Sequence, residues 1–376
     1  MAGIYIHIPF CDKACHYCDF HFSTTFASYR KELIDCLLEE LRIREKELED
    51  EVQTIYFGGG TPSVLTLDEW KQFTDYFKSR GYFEKLKEFT VEVNPDHLDP
   101  YYLQGLKDFG VNRLSIGVQS FHDEVLQKMN RSHDREKALA GLKAAKKIGF
   151  DNITLDLIYG VPFQTVQELK ENLAIIESLD IPHISAYQLT IENDTVFGKW
   201  KQQGKLLELS DDSCLEQFKR VRNTLLSLGY EHYEVSNFAK TECRSMHNSS
   251  YWRQIKYVGI GPGAHSFDGS NRAWNINNNK QYIKSIQEGK LSSETELLET
   301  KDQFNEAILL GLRQLTSGVE IELMEKRFPN QWNSVQGEVK HFINQGNLKT
   351  EHGFLKLTDE GIFIIDYISS ELFVSA

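Results

Sequence analysis

Short apolar, β-branched runs alternate with longer amphipathic stretches through the first 230 residues, and this alternation restricts the fold more than anything else in the chain. IYIHI (4–8) precedes an amphipathic stretch from Ser28 to Leu48 whose apolar positions are Leu33, Leu37 and Leu41. TIYFGGG (54–60) precedes a helical pattern near 68–79, and FTVEVNP (89–95) precedes one near 100–109. RLSIGVQSF (113–121) is followed by helical stretches to Ile148, ITLDLIYG (153–160) by a helix to about Leu179, and HISAYQLT (183–190) by a helix over 211–228. Six strand–helix units in succession predict an α/β domain with a parallel sheet. The pattern leaves open whether that sheet closes on itself.

At 376 residues the chain has room for a barrel-sized domain of about 250 residues and a smaller module. Acidic residues outnumber basic ones, 55 to 42, for a net charge of −13. A surface that acidic argues against binding a phosphate backbone, so nucleic acid is not an expected partner. No apolar stretch reaches the roughly 20 residues needed to span a bilayer, and no targeting segment opens the chain, so a cytoplasmic location is expected. That compartment suits Cys36, Cys214 and Cys243, which are scattered and read as structural thiols.

The other three cysteines are close together. In IYIHIPFCDKACHYCDF (4–20) the first strand stops at Pro9, and Cys11, Cys15 and Cys18 lie in the short loop beyond it. Three thiolates on a short loop can converge on one inorganic centre at little cost in closure entropy. Two centres fit the spacing. One is zinc, its fourth position taken by His7, His16 or His21. The other is an iron–sulfur cluster, normally held by four cysteines, which three would leave with one iron open to an exogenous ligand.

Cys-x3-Cys-x2-Cys after a first strand, with Tyr17 just before the last cysteine, resembles the radical S-adenosylmethionine (SAM) enzymes. The wider phrase YIHIPFC…CDF is similar to the branch that contains oxygen-independent coproporphyrinogen III oxidase and a group of heme chaperones. The resemblance implies a partial (β/α)6 barrel of the TIM type. It also implies a 4Fe-4S cluster on Cys11, Cys15 and Cys18 whose open iron binds the amino and carboxylate groups of SAM, and an electron donor that reduces the cluster so that SAM is cleaved to a 5′-deoxyadenosyl radical.

In such barrels the working residues stand at the carboxyl ends of the strands, and the polar residues of this chain fall there. Gly59, Gly60 and Thr61 follow the second strand in GGGTP, which by itself reads equally as a tight strand-to-helix turn; the resemblance assigns them to the amino group of SAM. Glu92 interrupts the third strand between two valines and can accept hydrogen bonds from ribose hydroxyls or an ammonium, or can be an ordinary paired carboxylate. Gln119, ending the fourth strand, matches another SAM position. Alternation in ITLDLI puts Thr154, Asp156 and Ile158 on one face and Leu155 and Leu157 on the other, so Asp156 points into the barrel if the leucines pack on helices. Arg131 is its expected partner, in a structural ion pair or at the SAM site. By resemblance Arg131 and Asp156 contact SAM, with Tyr5 and Tyr17 near the cluster.

Beyond the sixth unit, HYEVSNFAKTECRSMHNSSYWRQIKYVGIGPGAHSF (232–267) contains His247 and Tyr251, four apart and on one face if the segment is helical, with Trp252 beside them. A single histidine is most often a satisfied polar residue, yet beside aromatics it can be an axial ligand for heme iron, with flat rings against the porphyrin. HNSSYW fits the HNxxYW pattern of the heme chaperones, and Phe20 stands where the oxidases carry a further cysteine. GIGPGAHSF (259–267) is consistent with a loop over a flat ligand, or with turn chemistry alone.

Charge and a loss of alternation over 288–300 predict a linker. Helices near 302–315, 320–327 and 334–345 then precede a strand, turn, strand and helix over 347–368, with Thr358 or Asp359 as the cap. This wing-like α/β module has no dense cluster of Lys and Arg and reads as a packing module. The expected organisation is a barrel over 1–235, a heme-binding connecting segment over 236–290 and a winged-helix-like domain over 291–376. Three functions follow in order of fit. The first is a SAM- and cluster-dependent heme chaperone that passes heme to an acceptor apoprotein, as a monomer or a homodimer. The second is oxidative decarboxylation of coproporphyrinogen III. The third is a zinc-stabilised interaction domain.

Overall fold

The computed structural model describes residues 2–48 and 51–375. Its first half is the expected repeat: β1 (Ala2–Ile8), α1 (Arg30–Ile43), β2 (Val52–Gly59), α2 (Leu67–Ser79), β3 (Glu88–Val93), α3 (Pro100–Asp108) and β4 (Arg113–Gln119). Then come α4 (Asp123–Lys128), α5 (Arg135–Ile148), β5 (Asn152–Tyr159), α6 (Val166–Leu179), β6 (His183–Gln188), α7 (Val196–Gln202) and α8 (Asp211–Ser227). β1 to β6 pair in parallel and in sequence order. Neighbours in sequence are therefore neighbours in space, as short right-handed crossovers require.

The strands alternate strictly. Ile4, Ile6, Ile55, Phe57, Phe89, Val91, Leu114, Ile116, Leu155 and Leu157 are fully buried or nearly so and face the helices. Phe57 packs on Trp70 and Phe73 of α2 at ring separations of 4.6 and 5.2 Å. Burial of each such side chain contributes about 1.5–3 kcal/mol. The residues between them are polar and face inward: Tyr5, His7, Tyr56, Glu92, Arg113, Ser115, Thr154 and Asp156. Parallel strands covered on both faces usually read as continuous apolar runs. These do not, because the barrel encloses a polar chamber.

The barrel stays open. Among the described residues β1 and β6 do not pair with each other; each is extended outward. A hairpin of β7 (Glu231–Glu234) and β8 (Asn237–Ala239) adds antiparallel to β6. After α9 (Met246–Trp252), β9 (Tyr257–Ile260) adds parallel to β1. β10 (His265–Phe267), β11 (Asn271–Asn275) and, after α10 (Asn279–Gln287), β12 (Ser293–Leu297) continue outward antiparallel. The result is one twelve-stranded sheet edged by β12 and β7, with residues 236–290 supplying β9 to β11 on one flank and β8 on the other.

A fully buried Glu40 ties this extension to α1. Its carboxylate accepts from Gly261 N (2.8 Å), Asn275 Nδ2 (2.7 Å) and Tyr282 OH (2.6 Å), with Arg44 at 3.5 Å. Burial pushes the carboxyl up and these donors oppose it. A buried charge is tolerable only when it is so paired.

The expected linker over 288–300 contains β12, whose residues are all exposed. An edge strand with two solvated faces has no alternation to read, and its acidic side chains discourage edge-to-edge pairing. The C-terminal module follows: α11 (Thr300–Arg313), β13 (Val319–Glu320), α12 (Ile321–Arg327), α13 (Pro329–Ser334), α14 (Gln336–Asn344), β14 (Leu348–Glu351), β15 (Phe354–Leu357), α15 (Asp359–Ile362) and α16 (Ile365–Glu371). β15 pairs antiparallel with β13 and β14, giving the wing. Thr358, not Asp359, caps the helix that follows, accepting from Gly361 N at 3.2 Å. Among the described residues no helix is long and apolar enough to cross a membrane.

Candidate active site at the carboxyl ends of the strands

The cysteine loop lies across the carboxyl end of β1 and is held from three sides. Cys11 N donates to Ser23 O (3.1 Å) and Ser23 N to Pro9 O (2.9 Å), closing the loop on itself. His16 N donates to Met129 O (3.0 Å), and Asn130 Nδ2 donates to Ala14 O (2.7 Å) from the end of α4. Phe197 N, opening α7, donates to His16 O (2.9 Å), and the His16 ring meets Phe197 and Trp200 edge-on.

Beneath the loop is a cavity of about 410 Å³. Cys11, Cys15, Tyr17 and Cys18 line it, as do Gly59, Gly60, Thr61, Glu92, Gln119, Arg131 and Asp156. Every residue expected at the SAM site is there except Tyr5, which lies deeper in the barrel, its ring 6.0 Å from Tyr56. The expected pairing of Arg131 with Asp156 is electrostatic: Arg131 Nη2 donates to Gly117 O (2.5 Å) and Nη1 to Cys15 Sγ (3.4 Å), while its charge draws the Asp156 pKa down.

Two backbone features shape the cavity. Gly59 has φ +109°, and a Cβ there would stand 2.5 Å from the His7 ring; at Gly60 a Cβ would lie 2.6 Å from Phe10 O. The glycines let the second strand turn against the cysteine loop, with Gly60 N bonding Ile8 O (2.9 Å). Gln119 is a non-glycine residue at φ +67°, a conformation costing on the order of 1–3 kcal/mol, and it lines the cavity.

The electrostatics of the cavity are unresolved by the protein alone. Burial raises Glu92 to about 7, with Asp156 adding to the rise against a 2.7 Å bond from Tyr56 OH. Burial raises Asp156 to about 7, opposed chiefly by Ser185 and Arg131. Gln119 Oε1 and Arg131 Nε are buried without partners. Burial also pushes the thiols up, Cys11 to about 11 and Cys18 to about 12, despite a bond from Thr61 Oγ1 to Cys11 (3.3 Å). Two carboxylates, one orphaned acceptor and one orphaned donor fit a ligand carrying both hydroxyls and charge. Three clustered, partly buried thiols fit a centre that brings its own positive charge and so deprotonates them.

The three histidines considered for zinc are engaged to different degrees, His16 and His21 through one ring nitrogen each. His7 has both ring nitrogens engaged, with Tyr5 OH (3.2 Å) and His21 O (2.9 Å). His16 Nδ1 bonds Lys128 O (2.8 Å) and His21 Nε2 bonds Asn279 Oδ1 (2.7 Å).

Sequence reasoning missed Ser115, Tyr187, Asn94 and Ser132, which also line the cavity. The period-two alternation used for Asp156 would have found Ser115, since it sits inward on β4 as Asp156 does on β5.

His247, Tyr251 and Trp252 lie elsewhere, at the opposite end of the barrel. α9 plugs the amino ends of β1 to β3: Glu88 accepts from Met246 N (2.8 Å) and His247 N (2.9 Å). His247 is 1% exposed and has both nitrogens engaged, with Thr54 Oγ1 (2.8 Å) and Tyr251 OH (2.7 Å). Its ring stacks on Tyr56 at 5.0 Å. Trp252 turns away, with Arg313 over its ring and its Nε1 buried without a partner. The three residues do not form an open face; for His247 to reach an iron, one of its two bonds must break.

Comparison with known proteins agrees with this geometry. Residues 5–176 match the Radical SAM superfamily and residues 298–364 the HemN C-terminal domain. Over its full length the fold resembles coproporphyrinogen III oxidase (HemN) from Escherichia coli, with TM-score 0.80, 23% identity, and 99% of this chain and 90% of that one covered. The heme chaperone HemW of Lactococcus lactis is 37% identical, over 95% of this chain and 93% of the relative. That of Bacillus subtilis is 36% identical over 96% of both, and that of Synechocystis 32% identical over 100% and 97%. Radical SAM membership implies a 4Fe-4S cluster and SAM, which the donor set above fits. The chain belongs to the heme chaperone HemW family of radical SAM proteins.

Proposed function

We propose that this protein binds heme and delivers it to acceptor apoproteins in the cytoplasm, with a 4Fe-4S cluster and SAM held at the carboxyl ends of the barrel strands. The observation that carries this reading is end-to-end similarity to proteins named heme chaperones, over 93–97% of the length of three of them. Phe20 supports it. At the cavity rim and 68% exposed, it puts an inert ring where the oxidases carry a cysteine.

Cys11, Cys15 and Cys18 hold the cluster, which supplies a low-potential electron and an iron position open to SAM. Gly59, Gly60 and Thr61 offer main-chain and hydroxyl groups to the SAM amino group. Glu92 and Asp156 accept from its polar groups, Gln119 presents its unpaired Oε1, and Arg131 holds the Cys15 thiolate while sharing its charge with Asp156. Tyr17 closes the wall beside the cluster, and Tyr5 supports Tyr56 behind Glu92. His247, Tyr251 and Trp252 enter a heme site only in a form where one of the His247 bonds has opened.

The test is anaerobic incubation of the cluster-loaded protein with SAM, reductant and either hemin or coproporphyrinogen III, using apomyoglobin as the acceptor probe. Stable hemin uptake followed by transfer is the expected result. Conversion of coproporphyrinogen to protoporphyrinogen would contradict it.

A further inference from the structure

A second cavity, of about 160 Å³, opens at the amino end of the barrel between the start of β2 and α9. Gln53 and Thr54 of β2 line it, as do Met246, Ser249 and Ser250 of α9. Arg244 and Arg253 line it too, one just before the Ser245 cap of α9 and the other just after its last residue. Among the described residues no carboxylate lines it. In a chain of net charge −13, a cavity with two arginines and no acid in its walls is a local exception.

The backbone fixes where Arg253 stands. Gln254 has φ +52°, a left-handed conformation that costs a non-glycine residue on the order of 1–3 kcal/mol. It turns the chain off the end of α9, and Ile255 N folds back onto Ser250 O (3.0 Å), so that Arg253 and Ile255 both border the cavity. Arg253 is exposed, and among the described residues its guanidinium has no hydrogen bond or ion pair. Arg244 is held in place instead: it pairs with Glu231 (2.6 Å), reaches Thr316 Oγ1 (3.4 Å) and lies over the Tyr233 ring. The uncompensated charge is therefore that of Arg253.

The other polar walls are already occupied. Ser249 and Ser250 spend their hydroxyl protons on Ser245 O (2.6 Å) and Met246 O (2.8 Å). Glu88, which reaches α9 from below, is committed to Met246 N and His247 N. The donors left for a ligand are the guanidinium groups and the Gln53 amide, a set that suits an anion, and the planar fork of Arg suits a carboxylate. The cavity is smaller than the roughly 300–1,000 Å³ that encloses a whole small ligand, so it takes an arm of one. It also adjoins His247: Thr54 lines it, and the Thr54 hydroxyl bonds His247 Nδ1 (2.8 Å). Of the two bonds that hold this ring, the one to Thr54 is on the cavity side, while Tyr251 OH holds Nε2.

We propose that this cavity seats a propionate carboxylate of a heme whose iron is taken by His247, with Arg253 as the principal cation and Arg244 as the second. This rests on the heme-chaperone reading and adds which side chains hold the anionic edge of the porphyrin. The macrocycle stays outside the cavity, against the exposed and adaptable side chain of Met246. A free inorganic anion would satisfy the same guanidinium groups, and the test separates the two.

The test is an anaerobic titration of the full-length, cluster-loaded protein with hemin and with hemin dimethyl ester, whose propionates carry no charge, in the same mild detergent and read at the Soret band. The wild type is expected to bind hemin more tightly than the ester, by a margin that narrows as salt is added. Arg253→Ala weakens hemin binding about three- to tenfold, between the values of an exposed ion pair and a charge-assisted hydrogen bond. It leaves the ester affinity and the histidine-ligated band unchanged. Arg253→Lys recovers part of the loss, Arg253→Glu deepens it, and Arg244→Ala costs less because Glu231 already shares its charge. SAM affinity, read at the other end of the barrel, stays at the wild-type value in each variant and establishes that it is folded. If the wild type binds hemin and its ester alike, as it would were the cavity a site for free anions, the assignment is overturned and the chaperone reading stands. The same holds if Arg253→Ala weakens both ligands equally. If the wild type takes up no hemin, the chaperone reading falls and this assignment with it.

Discussion

The two ends of the barrel are built from the same kinds of residue and put them to opposite uses. At the amino end, Glu88 satisfies two backbone N–H groups of α9, Arg113 lies 4.0 Å from Glu88 and bonds Thr154 and Asn152, and His247 is bonded at both nitrogens. At the carboxyl end, Glu92 and Asp156 share one cavity with their carboxyls raised to about 7, and Gln119 and Arg131 keep unpaired buried atoms. Buried polar groups are normally paired. The amino end also keeps unpaired atoms, at Thr90, His183 and Trp252, but at the carboxyl end the unpaired atoms belong to residues that line one cavity with two raised carboxyls, and that cavity is where a ligand is expected. Residue type does not separate the two; the 410 Å³ cavity at the carboxyl end does.

Replacing the cluster ligands tests the contrast most severely. Cys11→Ser should abolish the iron–sulfur absorbance of anaerobically reconstituted protein altogether. Full iron incorporation in that variant would remove the cysteine loop from the account.

Next in size is the amino end. Glu88→Ala strips the partner from a nearly fully buried Arg113 and unlatches α9, and should cost about 3–5 kcal/mol in urea denaturation. A cost under 1 kcal/mol would mean that the plug is not structural.

Glu92→Gln should act in the opposite sense. It should weaken SAM binding by about 10–100-fold, as expected for loss of a charge-assisted hydrogen bond worth 1.5–3 kcal/mol, yet leave the SAM-free protein no less stable. The sign follows from linkage. The Glu92 carboxyl keeps its proton to about pH 7 when folded but only to the ordinary carboxyl value of 4.5 when unfolded. Ionisation therefore disfavours the fold: stability is fully present below about 4.5 and is lost as the pH rises through about 7. The variant and the wild type should match in stability at pH 4.5, and the variant should be the more stable at pH 8. Equal pH profiles would place Glu92 in solvent.

The smallest effect is remote from both ends. Thr358→Ala removes a helix cap in the wing and should cost about 1 kcal/mol with no change in SAM affinity, seen as a small loss in thermal midpoint.

How far the sequence shows this contrast depends on which forces are local. The six strand–helix units, the cysteine loop and cavity residues such as Glu92 and Asp156 were legible, because strand ends and polar interruptions are marked by neighbours such as Pro9, Gly59 and the valines around Glu92, whereas Ser115, Tyr187, Asn94 and Ser132 were not. The wing and its Thr358 cap were legible for the same reason. β12 was not, since a strand solvated on both faces has no periodic signature, and α7 was not, since its role is to clamp a loop 180 residues earlier. The placement of His247 was the least legible of all. HNSSYW has the spacing of a helix face, but which end of a barrel that helix caps is decided by Glu88 and Thr54, far away in sequence.

The most direct test of the central claim, that the incomplete carboxyl end holds cluster and SAM together, is electron paramagnetic resonance of the reduced, reconstituted protein titrated with SAM. The account predicts a 4Fe-4S signal whose g-values shift on adding SAM in the wild type, shift only at higher SAM in Glu92→Gln, and shift normally in Thr358→Ala. A reduced-cluster spectrum indifferent to SAM at saturating concentration would contradict it.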